Sequence, residues 1–382
     1  MVHSGWKENI DRISMIKASC SNCYEVYPEN GAPFRCDKCG GYYEIENSGI
    51  YDSRSINTNL PGLWRYKNIF NLDENAPIVY LGEGDTPLVW ANDFGKDIAF
   101  KLEYLNPTGS FKDRGTSLLV SFLKSRGVTG AVEDSSGNAG ASFAAYAARA
   151  GMNAKVFIPE YASGPKRNQI EAYGAEVIPT SGPRSAAAEA VIKAAEMGEI
   201  YASHAYFPIG IDGFSTVAYE IVEQLDTKPG TVITPVGQGG LLLGLARGFD
   251  RLLNARVIQQ KPTLVGVQAM VCAPLWAVFN YGLQGLGWVT EGETLAEGVR
   301  IKQPLRGDSI LNMMKADRGE FIVVEEETIS FGQEQLAGLG FFVEPTSAIV
   351  WNALEQIGNE LPEPIVVILT GSGLKSQYVK HK

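Results

Sequence analysis

Between residues 97 and 369 of this 382-residue chain, short apolar runs alternate with segments of helical period, and glycine-bearing turns separate the two. The pattern predicts strands at 97–103, 154–158, 175–178, 231–234, 263–268, 321–324 and 365–369. It predicts helices at 115–126, 139–150, 185–196, 213–224, 241–253 and 347–357. Strand and helix in alternation mean parallel sheets covered on both faces, so the expected class is α/β, with open, twisted, mostly parallel sheets. The length suits two domains, and 45% hydrophobic residues suffice for a sizeable core.

At the first junction, Asn106-Pro107-Thr108-Gly109-Ser110-Phe111-Lys112-Asp113-Arg114-Gly115 breaks a strand and opens a helix whose stripe is Leu118, Leu119, Phe122 and Leu123. Lys112 therefore sits at a helix N-terminus, walled by Phe111 and beside the cationic Arg114. The positive dipole end, the neighbouring cation and desolvation all lower an ammonium pKa, as a Schiff-base lysine requires. A solvated lysine in a βα loop is the plain alternative.

Two more junctions can hold anions. Ser135-Ser136-Gly137-Asn138-Ala139-Gly140 precedes an Ala-rich helix, where backbone N–H groups and hydroxyls meet a helix N-terminus; simple N-capping by Ser136 or Asn138 is the alternative. Val236-Gly237-Gln238-Gly239-Gly240-Leu241 follows an apolar strand, and its glycines let successive amides approach a phosphate. A dinucleotide fingerprint fails there because the third glycine position holds Leu242, and a Walker loop fails for want of Gly-Lys-Ser/Thr. Of three histidines, His3 and His381 are terminal and only His204 is internal, so hydrolase triads and histidine-rich metal catalysis have little material.

Near the start, Cys20-Ser21-Asn22-Cys23 and Cys36-Asp37-Lys38-Cys39 form two CxxC knuckles twelve residues apart, the spacing of a tetrahedral four-thiolate site. All four thiols are consumed, so a structural zinc ribbon is expected on Cys20, Cys23, Cys36 and Cys39, with Cys272 left as a buried free thiol. Two disulfides are the alternative, disfavoured because the first residues, with Lys7, Glu8, Asp11 and Arg12, make no secretion signal. Residues 1–50 hold five Lys+Arg against seven Asp+Glu, and the whole chain carries −10. Neither balance suits nucleic acid or an anionic membrane, so a small-molecule partner and a cytoplasmic location are expected. The uncharged run 262–290 is broken by Pro274 and three glycines and reads as a buried strand, a helix and a loop that could line a subunit contact.

Pro107-Thr108-Gly109-Ser110-Phe111-Lys112-Asp113-Arg114-Gly115 resembles the pyridoxal-phosphate (PLP) lysine motif of threonine synthases, within the tryptophan-synthase-β-like, fold type II enzymes. Leu81-Gly82-Glu83-Gly84-Asp85-Thr86-Pro87-Leu88, Ser135-Ser136-Gly137-Asn138, Gly237-Gln238-Gly239-Gly240 and Thr370-Gly371-Ser372-Gly373-Leu374-Lys375 match that family in order, and some of its members carry a similar cysteine-rich N-terminus. The resemblance implies a zinc-ribbon-like segment at 1–50, a large PLP domain from 51–105 with 213–382, a small mobile α/β domain at 106–212, and a homodimer. It implies that Lys112 holds PLP and acts as base, that Gly237, Gln238, Gly239, Gly240 and Leu241 hold its phosphate, that Asn138 lies beside its phenolic oxygen, and that Thr370 stands under its pyridine nitrogen. Ser135, Ser136, Gly137 and Asn138 would hold the substrate carboxylate. The implied reaction is a lyase-type conversion of O-phosphohomoserine to threonine and phosphate. Serine or threonine deamination, β-replacement on a small amino acid, and a non-catalytic ligand-binding relative are the rival readings. One departure bears on the choice, since the family's Asn-Pro-aromatic-Arg, which helps hold the substrate's phosphate, aligns with Phe207, Pro208, Ile209 and Gly210. A phosphate there would meet an apolar wall unless Lys166, Arg167, Arg184, Arg300 or Lys302 compensated.

Overall fold

The computed structural model describes residues 18–45, 50–70, 72–182 and 184–376, so His3 and His381 lie outside the described residues. In chain order the strands are β1 (Ala18–Cys20), β2 (Tyr43–Ile45), β3 (Leu88–Asp93), β4 (Lys96–Lys101), β5 (Gly130–Glu133), β6 (Asn153–Pro159), β7 (Glu176–Thr180), β8 (Thr231–Pro235), β9 (Thr263–Ala269), β10 (Glu320–Val324) and β11 (Ile365–Ile368). The helices are α1 (Lys112–Ser125), α2 (Asn138–Arg149), α3 (Pro165–Ala172), α4 (Arg184–Glu196), α5 (Ile209–Leu225), α6 (Gly240–Asn254), α7 (Pro274–Tyr281), α8 (Gly307–Ala316), α9 (Glu326–Gly338) and α10 (Pro345–Ile357).

Three sheets result. The largest has the order β10-β9-β8-β11-β4-β3 and is parallel except at β3, which pairs antiparallel with β4. Phe94 (φ 52°) and Gly95 (φ 70°) join that edge pair, and two consecutive positive φ angles give the tight turn whose twist matches a hairpin. Strand β11 lies between β8 and β4 and is buried along its whole length, which explains its unbroken Ile-Val-Val-Ile run. A second sheet, β5-β6-β7, is wholly parallel, and Tyr201 adds a parallel bridge to Val132 on its free edge. The third is the short antiparallel pair β1-β2.

One apolar cluster runs from the cysteine-bearing segment (Tyr27, Phe34, Tyr43) through α1, α5 and α6 to Val366 and Ile368. A second, built on Ile349, Val350 and Leu354 of α10, fills the other face of the large sheet. Helix α5 begins at Ile209, so the division expected between residues 212 and 213 falls inside a continuous helix. The uncharged run 262–290 forms β9, α7 and 3-10 turns, and no helix among the described residues is long and apolar enough to cross a membrane.

Packing of α1 on α5 corrects one expectation. A Cβ on Gly115 would lie 2.6 Å from the Phe214 ring, and one on Gly213 would lie 2.2 Å from the Arg114 carbonyl, so the two helices meet at backbone distance. Gly210 belongs to this contact, and Phe207 is buried beside Phe122 with ring centroids 6.0 Å apart. Phe207 and Gly210 therefore serve the core and form no apolar wall around a ligand.

Candidate active site

The Lys112 loop is shaped by its own neighbour. Asp113 is buried and accepts hydrogen bonds from Thr108 N (2.7 Å), Thr108 Oγ1 (2.6 Å) and Ser142 Oγ (2.6 Å), which folds residues 108–113 back over the start of α1. Gly109 (φ +84°) makes the turn, and Lys375 Nζ donates to the Thr108 carbonyl at 2.7 Å. Lys112 is the first residue of α1, with Nζ 4.6 Å from the Phe111 ring centre. Its pKa falls to about 8, chiefly through desolvation; Arg184 lowers it further, against opposing pulls from Glu133 and Glu344. Arg114 is not the neighbouring cation expected from the sequence. It is fully buried, and its guanidinium binds Glu103 and Glu220 at 2.7 Å each, Thr86 at 3.1 Å and Thr216 at 2.9 Å. Lys101 Nζ closes the network on Glu220 at 2.7 Å.

Lys112, Ser135, Ser136, Gly137, Asn138, Gly237, Gln238, Gly239, Gly240, Leu241 and Thr370 line one cavity of about 120 Å³. Their backbones reach it as ends of parallel strands and starts of helices, the place where an α/β sheet gathers polar backbone groups. Asn138 opens α2, and its Nδ2 donates to Glu344 Oε1 at 2.7 Å while Oδ1 is buried without a partner. Gly239 (φ +79°) turns the chain into α6, and a Cβ on Gly237 would stand 2.6 Å from the Gly298 carbonyl. The Gln238 side chain is engaged, its Oε1 accepting from Leu305 N at 3.0 Å. Thr370 follows β11, and its Oγ1 is buried without a hydrogen-bond partner.

The cavity also gathers groups that sequence ranked low or passed over, namely Lys166, Arg184, His204, Glu297, Glu344 and Thr346. Of the five candidate cations, Lys166 and Arg184 reach it. Arg167 pairs with Glu171 at 2.9 Å, and Arg300 donates to the Glu291 carbonyl at 2.7 Å; neither these two nor Lys302 lines the cavity. Lys166 is 2.9 Å from Glu344, whereas Arg184 has no ion-pair partner among the described residues. Glu344 is the N-cap of α10 ahead of Pro345, a helix-start signal that the sequence did carry. His204 Nδ1 lies 2.8 Å from Glu133 Oε1, and burial, reinforced by Lys112 and Arg184, drives the imidazole pKa down to about 3.

The four N-terminal cysteines converge as well, their sulfurs all within 4.8 Å of one another. The Cys20–Cys39 and Cys23–Cys39 sulfurs are 3.4 Å apart and Cys23–Cys36 3.7 Å, far beyond a disulfide bond and close to the ~3.8 Å edge of a tetrahedron with 2.3 Å metal–sulfur bonds. Cys272 is a buried free thiol.

A helix-flanked parallel sheet with a depressed lysine, an unpartnered threonine hydroxyl and glycine-built helix starts in one cavity defines a fold type II enzyme, and residues 79–371 match the family described as "Pyridoxal-phosphate dependent enzyme", to which the chain belongs. Within it, the chain is threonine-synthase-like: it is 34% identical over 378 residues to the threonine synthase of Methanocaldococcus jannaschii, covering 93% of this chain and 92% of that one. It is 34% identical to the threonine synthase of Synechocystis sp., with 81% and 82% covered. Among solved structures, a threonine deaminase from T.th. superposes with a TM-score of 0.62 at 27% identity, over 78% of this chain and 94% of that one. The cavity fits PLP on its own terms, since Lys112 supplies an amine, Gly237, Gly239 and Gly240 bring side-chain-free backbone to the lining at the start of α6, and Thr370 Oγ1 and Asn138 Oδ1 are buried without partners.

Proposed function

We propose that this PLP-dependent lyase converts O-phosphohomoserine to threonine and phosphate. The observation that carries the reading is the convergence on one cavity of Lys112, the 135–138 loop, the 237–241 loop and Thr370, separated by up to 258 positions in the chain, numbered 112 to 370. When bound, PLP supplies a sink for the electron pair at the substrate's Cα. Lys112 holds the cofactor and, once released, takes and returns the Cα proton; a pKa near 8 keeps a useful fraction of neutral amine. Gly237, Gln238, Gly239, Gly240 and Leu241 bind the cofactor phosphate through amides at the start of α6. Thr370 Oγ1, buried without a partner, would serve the pyridine nitrogen; a neutral hydroxyl there would limit the depth of the sink and favour elimination along the side chain. Asn138 would serve the phenolic oxygen and, with Ser135, Ser136 and Gly137, would hold the substrate carboxylate at the start of α2.

The substrate's own phosphate is then assigned to Arg184 and Lys166, in place of the family's Asn and Arg. Arg184 is the stronger partner because Glu344 already neutralises Lys166. Structural zinc on Cys20, Cys23, Cys36 and Cys39, the division into 51–105 with 213–382 and 106–212, and a homodimer belong to the same proposal. Exposed Tyr281, Leu283, Leu286 and Trp288 supply an apolar face for the subunit contact. Serine or threonine deamination is the second reading, favoured by the missing Asn and Arg and by the likeness to a threonine deaminase. Incubation with O-phosphohomoserine, serine and threonine decides between them. Phosphate and threonine release supports the proposal; 2-oxo acid from serine without phosphate from O-phosphohomoserine overturns it.

A further inference from the structure

Strand β5 ends at Glu133, and Tyr201 pairs with Val132 in parallel, so the segment that follows Tyr201 brings His204 alongside Glu133. Glu133 is 1% exposed; Oε1 meets His204 Nδ1 at 2.8 Å, and the other oxygen accepts the N–H of Asp134. Burial raises the Glu133 carboxyl's pKa, while the Asp134 N–H, Lys112 and Arg184 favour its charged form; as a carboxylate it only accepts, which puts the pair's proton on Nδ1 and leaves Nε2 as an unprotonated acceptor. The ring retains 20% exposure and lines the cavity with Lys112 and Arg184. A neutral imidazole, held by a buried carboxylate and opening on a ligand cavity, has the placement of a general base; burial lowers its basicity first, and the further pull of Lys112 and Arg184 is relieved when an anionic ligand pairs with those cations. Lys112, which serves Cα, does not require it.

Resting on the threonine-forming reading, we infer that His204 is a second catalytic base, positioned by Glu133, which activates the water that adds to the substrate's β-carbon. Phosphate leaves Cγ as a proton is lost from Cβ, and Cγ then gains a proton, which gives an α,β-unsaturated skeleton; the water oxygen bonds to its Cβ, and the O–H bond breaks with its proton passing to Nε2. The π pair shifts to Cα, where Lys112 delivers the proton it took earlier. His204 then releases its proton to solvent. No oxidant or further reactant is needed, and the sum is one water added across Cα=Cβ.

The test uses the PLP-loaded enzyme with O-phosphohomoserine in D2O. It follows exchange of the Cα hydrogen, phosphate release, and the partition of product between threonine and the 2-oxo acid formed when unhydrated skeleton escapes and hydrolyses. In H204Q, exchange and phosphate release should stay within a few-fold of wild type. Threonine per phosphate should drop roughly a hundredfold in favour of 2-oxo acid. Glu133→Gln provides an independent check, because a glutamine amide donating to Nδ1 forces the proton onto Nε2 and abolishes the base with the ring in place. The same partition change is expected, with the cofactor still fixed on Lys112 by borohydride, although loss of the Glu133 charge also lowers the Lys112 pKa. Unchanged threonine per phosphate in both variants overturns the role of His204. A wild type that exchanges the Cα hydrogen of serine but releases no phosphate from O-phosphohomoserine overturns the threonine-forming reading instead, and this role with it.

Discussion

Lys112 and Arg114 are two residues apart at the start of one helix, yet they inhabit opposite electrostatic worlds. Arg114 is matched by Glu103 and Glu220, with Lys101 as the second cation, and every contact is buried. Glu220 is held far below the usual carboxylate range by these cations despite its burial. Around Lys112, burial and Arg184 favour the neutral amine while Glu133 and Glu344 pull the other way without forming an ion pair with it. A closed charge network fixes β4, α1 and α5 in register; an open one leaves a group ready to react. The same motif thus contains a structural cation and a chemical one, and only their surroundings distinguish them.

The comparison can be broken from either side. Lys112→Ala should reduce turnover by roughly a thousandfold or more and abolish borohydride fixation of PLP, with a denaturation midpoint near wild type, because no ion pair is lost. Arg114→Met should do the reverse, costing about 3–5 kcal/mol in urea denaturation by stranding Glu103 and leaving Glu220 with Lys101 alone. A variant pair in which Arg114→Met lost activity at unchanged stability would erase the distinction.

The difference is sharpened by pH. Because the native pKa of Lys112 lies near 8 and below that of a free lysine, the unfolded chain binds more protons between about 8 and 10.5. The cost of burying the ammonium is therefore fully present below pH 8 and is relieved as pH rises through that window. Reductive methylation of the cofactor-free protein, read by peptide mass mapping, should modify Lys112 with a midpoint near pH 8, while exposed lysines respond about two units higher. A midpoint above 10 for Lys112 would refute its depressed state.

Smaller effects are expected farther away. Glu44, on β2 of the cysteine-bearing segment, pairs with Arg306 Nε at 2.8 Å; Arg306 in turn donates to the carbonyls of Ala205 and Tyr206, beside His204. Cys23→Ser should release zinc, loosen the N-terminal segment in proteolysis, and lower turnover by only a few-fold, leaving the cofactor spectrum close to wild type. Zinc analysis finding no metal in the wild type would remove the premise. Least of all should Trp288→Glu with Leu283→Glu change the chemistry, although sedimentation should shift from dimer toward monomer; a monomeric wild type would refute the contact.

Much of this was legible in the chain. Strands β4 and β6 to β11 and the six expected helices fall within a few residues of their periodicity, since buried parallel strands need unbroken apolar runs and surface helices need a stripe. Helices α3, α8 and α9 and the strand β5 escaped notice, being short or carrying glycine, while α7 is the helix expected within 262–290. The junction glycines and Lys112 announced a cavity because their chemistry is local. No local signal says that Glu133 meets His204, 71 positions on, or that Asn138 meets Glu344, 206 positions on. Nor could spacing tell that Phe207 and Gly210 face α1 while Arg184 faces the cavity. Sequence by itself determined the fold class, the cysteine cluster and the lysine; tertiary structure decided which charges are cancelled and which are left open. The reason is physical: backbone periodicity is set by neighbours three or four residues away, whereas a side chain's electrostatic state is set by whatever the folded chain brings within a few ångströms.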